Sequence, residues 1–279
     1  MSALLAVVSS VLWGGADFLG GRLSRQHPAA SVIFRAQFIA VAGLIIALVV
    51  VGDFTPHGPA LVWGALAGVC GVVGLSAFYR ALAIGRMALV APVAATSVAV
   101  PVLLGIGLGH HPSVGQAIGI VAAVGGTIIA VGPELRAPGG GQAGRSIALA
   151  LVAALGFGLL LVTIALGSRT SVVQTLLTQR LVYAALLGVF LLVVPRDPAP
   201  WTRRQHLAVA GNGVGDMTAN YLYAEATRGA VDPVTSVLAS LYPIVTALLA
   251  HQFDGERLRR IQYAGVGAAL VGVVLLTAG

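Results

Sequence analysis

Ten apolar runs of 18 to 25 residues divide the chain, at residues 3–20, 30–51, 60–84, 87–108, 115–132, 146–167, 172–194, 206–227, 231–251 and 261–278. At 1.5 Å of rise per residue, each is long enough for a helix to cross a hydrocarbon core of about 30 Å. The pattern therefore predicts an all-α membrane protein of ten transmembrane helices. Most connections are short and hold turn residues, such as Asp53-Phe54-Thr55-Pro56-His57-Gly58-Pro59. One differs: Gly132 to Arg145, GPELRAPGGGQAGR, is polar, Gly-rich and halfway along. It predicts a flexible linker over 134–145 between five-helix halves at 1–133 and 146–279. The N-terminal stretch lacks a basic segment before its apolar run, which reads as a first span rather than a cleaved signal peptide.

The halves are weakly alike. Phe34-Arg35 matches Gln179-Arg180 at an offset of 145, Tyr79 and Pro101 match Tyr221 and Pro243 at 142, and Gln116 matches Gln262 at 146. A nearly fixed offset is the mark of a duplicated transporter fold. Five helices per half is an odd number, so the second half enters the membrane from the opposite side. Two inverted five-helix repeats follow, with a binding site expected near the midplane between them.

Composition supports the membrane reading and removes others. The chain is 58% hydrophobic and 9% charged, against about 25% charged in soluble domains. Its net charge of +7 comes from arginine alone, and no basic helix face appears, which excludes nucleic acid as a partner. Eleven arginines fall in loops 1–2, 3–4, 5–6, 7–8 and 9–10, and two (Arg169 and Arg228) on the other side. The positive-inside rule then places both termini outside. Cys70 is the sole cysteine, so disulfides and thiolate metal clusters are excluded. No HExxH, P-loop or GxSxG motif is present. No enzyme chemistry, metal or cofactor is expected.

The candidate chemistry lies in span eight. Asn212, Asp216 and Asn220 are four residues apart and share one helix face. A carboxylate at that depth costs about 2.5 kcal/mol or more, so it faces a bundle interior or a watery cavity. Arg180, roughly 12 Å into span seven at 1.5 Å per residue, falls at a similar depth. It either pairs with Asp216 or serves an anionic group on a ligand, and the same residues read equally as structural glue or as a ligand-binding wall. Asp17 and Arg35 sit at matching depths in a helical hairpin and predict a neutralising ion pair, with a substrate-binding or coupling role for Asp17 as the alternative. Trp13, Tyr221 and Tyr242 are candidate aromatic contacts. Pro92, Pro101, Pro233 and Pro243 predict kinks in spans four and nine.

Leu12-Trp13-Gly14-Gly15, Phe34-Arg35, Gln179-Arg180, Ser240-Leu241-Tyr242-Pro243 and Gly255-Glu256-Arg257-Leu258 together resemble the EamA family of the drug/metabolite transporter superfamily. The first half departs from that pattern, carrying His110-His111-Pro112-Ser113 in place of a Gly-Glu-Arg loop, and loop 2–3 is free of Arg and Lys. The resemblance implies a secondary transporter in the plasma membrane (the bacterial inner membrane), moving an amino acid-like metabolite or drug-like amphiphile by alternating access, with proton coupling as an option. A small-molecule substrate and the bilayer are the expected partners, and a homodimer is a further one. A lipid-handling or regulatory membrane component is the competing reading.

Overall fold

A computed structural model describes residues 2–100, 103–104, 113–135, 140–193, 200–227 and 241–278. Ten α-helices are present among them: α1 Ser2–Ser24, α2 Ala29–Val51, α3 Gly58–Ile84, α4 Met87–Ala95, α5 Val114–Leu135, α6 Gly140–Ser168, α7 Val172–Val193, α8 Arg203–Thr227, α9 Tyr242–Asp254 and α10 Arg260–Ala278. Five of these are long and apolar enough to cross a membrane, namely α1, α2, α3, α6 and α7. Helix α8 has the length, about 38 Å, but its polar stripe and charged ends keep it out of that set. Side chains on the outer faces are apolar and exposed, as at Val50 (80%), Val121 (72%) and Leu192 (86%), which suits lipid rather than water as the surrounding medium.

Local chemistry sets the boundaries. Gly52 after α2 and Gly255 after α9 adopt φ of 72° and 66°, left-handed caps that other residues reach at a cost. Pro92 lies inside α4, which gives way to a 3₁₀ turn at Thr96–Val98, where the Thr96 hydroxyl donates to the Val93 carbonyl at 2.7 Å. Span four is thus broken where proline predicted a kink. Pro243 occupies the first turn of α9, while Pro101 and Pro233 lie outside the described residues. The Gly-rich segment is partly helical, contrary to expectation: α5 runs to Leu135 and α6 begins at Gly140. Gln142 Nε2 and Ser146 Oγ donate to the carbonyls of Ile84 and Ala81, pinning the first turns of α6 to the end of α3.

Helix pairing has an internal two-fold pattern, in which each helix of the first half corresponds to the one five places later. Helix α1 packs on α8 as α6 packs on α3, α2 on α8 as α7 on α3, and α1 on α9 as α6 on α4; α2–α7, α4–α9 and α5–α10 are their own mates. Individual contacts repeat too. Gly119 meets Gly272 while Gly126 meets Gly265, and Ala123 and Ala269 back those contacts, all related by an offset of 146. Gly14 meets Val245 and the Tyr242 carbonyl as Gly158 meets Val100 and the Ser97 carbonyl. Small residues at such crossings let backbones approach closely, the main source of helix association in lipid.

Polar groups tie the two halves together at both ends of the bundle. At the arginine-rich end, Arg25 pairs with Asp254 (2.8 Å) and Glu256 (2.7 Å), and Arg22 lies 3.7 Å from Asp254. Glu256 also accepts from the Met87 and Ala88 amides, capping α4 with negative charge. Gln205 reaches Gln26, and Trp201 stacks on His27, so loop 7–8 joins the same end. At the opposite end, Asp53 accepts from Ser171 Oγ at 2.5 Å and meets His57 Nε2 at 3.0 Å, while Gln174 donates to the carbonyls of Asp53 and Thr55. The Ser171 hydrogen bond, reinforced by His57, holds the Asp53 carboxyl below the usual carboxylate range. A depressed carboxyl stabilises above its ordinary value and loses that contribution as pH falls through the depressed one. The thermal midpoint of wild type should therefore fall more steeply with acidification below about pH 4 than that of Asp53→Asn, measured side by side in detergent; parallel profiles would contradict this role.

Candidate functional site

The middle of the bundle holds its charged groups. Arg180 on α7 is 2% exposed, and its Nη1 lies 2.6 Å from Asp216 Oδ2 on α8, whose side chain is 23% exposed. A guanidinium is always charged and presents donors in a fixed fork, so a close carboxylate is what keeps it in an apolar interior. Gln37 Oε1 on α2 accepts a longer bond from Arg180 Nη1 at 3.4 Å, and the guanidinium carbon lies 5.5 Å from the Tyr183 ring centre. Arg180 Nε is buried without a partner among the described residues. Asn220, one turn beyond Asp216, donates to its carbonyl (2.7 Å) and to Oδ1 (3.1 Å), fixing the carboxylate from the other side.

Asn212 does different work. Its Nδ2 donates to the Ala16 carbonyl at 2.7 Å and to Tyr79 Oη at 2.6 Å, joining α8 to α1 and α3. The three stripe residues thus share a face, but only Asn220 touches Asp216. Ser9 Oγ donating to the Ala219 carbonyl closes the α1–α8 seam one level further along. Trp13 packs on Tyr223 (ring centres 5.4 Å apart) and on Tyr242 (6.1 Å, edge-on).

Two expectations need correction. The Asp17–Arg35 ion pair does not form: Arg35 is exposed, with its guanidinium 4.6 Å from the Trp201 ring centre near the arginine-rich end. Equal depth does not mean equal facing, and an arginine near a helix end gains more by reaching the interface. Asp17 instead is half-buried on α1, next to the Ala16 carbonyl that Asn212 of α8 binds. Trp13 packs on Tyr223, and Tyr221 sits against a separate apolar cluster with Leu44 and Ala67. The pair Trp13–Tyr223 corresponds to Phe157–Phe78 at offsets of 144 and 145, so the match of Tyr79 to Tyr221 was three residues, nearly a helical turn, out of register. Gln37, Tyr79 and Tyr183 were missed as members of the centre; a glutamine inside an apolar run was the one usable sign.

Both halves contribute to this centre, α1, α2 and α3 from one and α7, α8 and α9 from the other. Residues 1–132 and 144–278 each match the EamA-like transporter family. The chain belongs to that family. As a family member it is a multi-pass membrane protein and a transporter of small solutes. One solved crystal structure is similar over 98% of this chain and 95% of its own, with a TM-score of 0.70 at 17% identity, a likeness of fold. A comparison with curated proteins gives no match.

The α1–α3–α8 junction tests the geometry directly. Tyr79→Phe removes one acceptor and leaves Asn212 its bond to Ala16, so it should cost about 1 kcal/mol. Asn212→Leu also removes the link to α1 and should cost more, read as the larger drop in unfolding midpoint in lipid micelles. Equal losses would show that the Ala16 bond contributes nothing.

Proposed function

We propose that this EamA-family transporter is a secondary active transporter that moves a small organic solute by alternating access, with its two halves as inverted repeats rocking about the central charged site. The observation that carries the reading is the Arg180–Asp216 pair, held in the apolar middle of the bundle by helices of both halves. A binding site for a solute that must see both sides in turn belongs at that depth.

The placement of loops supports inversion. Loop 1–2 of the first half lies at the arginine-rich end with Arg25, whereas loop 6–7 of the second half lies at the other end with Ser171. Arginine bias makes the first end cytoplasmic and puts both termini outside, in the plasma membrane. Asp216, Asn220, Asn212 and Arg180, with Trp13, Tyr242 and Tyr223, form the site wall in this reading, and Asp17 is the group available for coupling to protons. The solute is an amino acid-like metabolite or a drug-like amphiphile.

Polar contacts that join the halves at each end serve as the two gates. Alternating access requires the Asp53–Ser171 contact to break when the non-cytoplasmic side opens. A disulfide between cysteines replacing Asp53 and Ser171, in a Cys70→Ala background, should stop counterflow of solute in proteoliposomes by about tenfold or more, and reduction should restore it. Undiminished counterflow with the bridge fully formed would contradict the gating role.

A further inference from the structure

The arginines of the arginine-rich end are not equally engaged. Arg22 and Arg25 answer Asp254 and Glu256. Arg35, Arg203 and Arg204 are exposed and join no ion pair among the described residues. All three belong to the neighbourhood of Trp201. The Arg35 guanidinium lies 4.6 Å from its ring centre, and Arg203 and Arg204 follow it directly in the first turn of α8.

This corner is held in place. His27 stacks on Trp201 with ring centres 4.0 Å apart and 17° between the planes, and the His206 ring is 5.8 Å away. Thr202 Oγ1 accepts from the Gln205 amide at 3.3 Å while Gln205 Oε1 accepts from the Thr202 amide at 2.8 Å, a reciprocal cap that fixes the start of α8. Gln205 Nε2 also donates to Gln26 at 2.7 Å. Arg203, three residues before His206, shares its side of the helix.

The same arginines head outward-facing rows on two packed helices. On α2, exposed Phe38, Ala42 and Ile45 continue the row from Arg35 at helical spacing; on α8, exposed Leu207, Gly211 and Val214 continue it from Arg203 and Arg204. Helices α2 and α8 meet between these rows, with Gly213 against the Ala36 carbonyl. Arg35 stands roughly 9 Å along α2 from Ala29, at 1.5 Å per residue. An arginine at that depth on a lipid-facing row extends toward the interface, where an anion is needed to meet its donors.

We infer that Arg35, Arg203, Arg204 and Trp201 form a binding site for the headgroup of an anionic phospholipid, whose acyl chains lie along the exposed rows of α2 and α8. Phosphate oxygens match the fork of guanidinium donors, and an indole ring settles at headgroup level. The apolar rows below the arginines favour a lipid over a soluble phosphate, and three cations favour a net-negative headgroup over a zwitterionic one. The site lies on the outer wall of the bundle and stands apart from the transport reading.

Native mass spectrometry of the full-length protein in detergent tests this, with phosphatidylglycerol, phosphatidylcholine and glycerol phosphate as probes. Phosphatidylglycerol should bind saturably with a Kd about tenfold or more below that of phosphatidylcholine, and an equal concentration of glycerol phosphate should leave it bound. Arg35→Gln, Arg203→Gln and Arg204→Gln combined should erase the preference, and Arg35→Gln alone should reduce it about fivefold. A charge-matched variant at exposed arginines of loop 9–10 and α10, combining Arg257→Gln, Arg259→Gln and Arg260→Gln, should keep it. Equal affinity of the wild type for the two lipids would overturn the inference. So would a preference that survives the first triple variant or falls equally in the second. Displacement of the lipid by glycerol phosphate would also overturn it, in favour of a soluble anion.

Discussion

A single buried ion pair organises the centre of this protein. Arg180 cannot be neutralised, and Asp216 at 2.6 Å is what makes its burial tolerable. The constraint propagates outward. Asp216 must be held, which Asn220 does from the next turn, and the remaining surface of the guanidinium is met by Gln37 and the Tyr183 ring. The pair itself joins α7 to α8 of the second half, and Gln37 brings in α2 of the first, so all three helices must come together to satisfy it.

The surrounding bundle is built to allow that meeting. Close small-residue crossings at α5–α10, at α1–α9 and between α6 and the segment that follows α4 let these backbones approach closely. Polar and ionic contacts are concentrated at the two ends, where water competes and each is individually weak. Strong polar chemistry thus holds the middle of the bundle, and weaker polar contacts hold its rims.

Five of the apolar spans and the polar stripe were legible because they are patterns along one helix: hydropathy over about twenty residues and polar positions four apart. Depth put Arg180 level with Asp216 and left two readings, this pairing or an anionic group on a ligand; the pair forms because both residues lie on inward faces. The same arithmetic failed for Asp17 and Arg35. Residues 35 and 37 point about 200° apart on α2, so Gln37 faces the centre while Arg35 reaches Trp201. Depth is written in the sequence, but azimuth depends on which neighbours a helix packs against. Register between the halves was similarly hidden: the offset drifts from 144 at Gly14–Gly158 to 146 at Gly119–Gly265, and only packed pairs fix it locally.

The most direct measurement is a double-mutant cycle on Arg180→Met and Asp216→Asn, with stability read by unfolding in lipid micelles. Removing one partner should cost about 3–5 kcal/mol, because it leaves the other charge buried and uncompensated. The double variant should be far less destabilised than the two losses added together. Additive losses would mean that the two side chains are stabilised independently, and the pair would no longer be the interaction on which the centre depends.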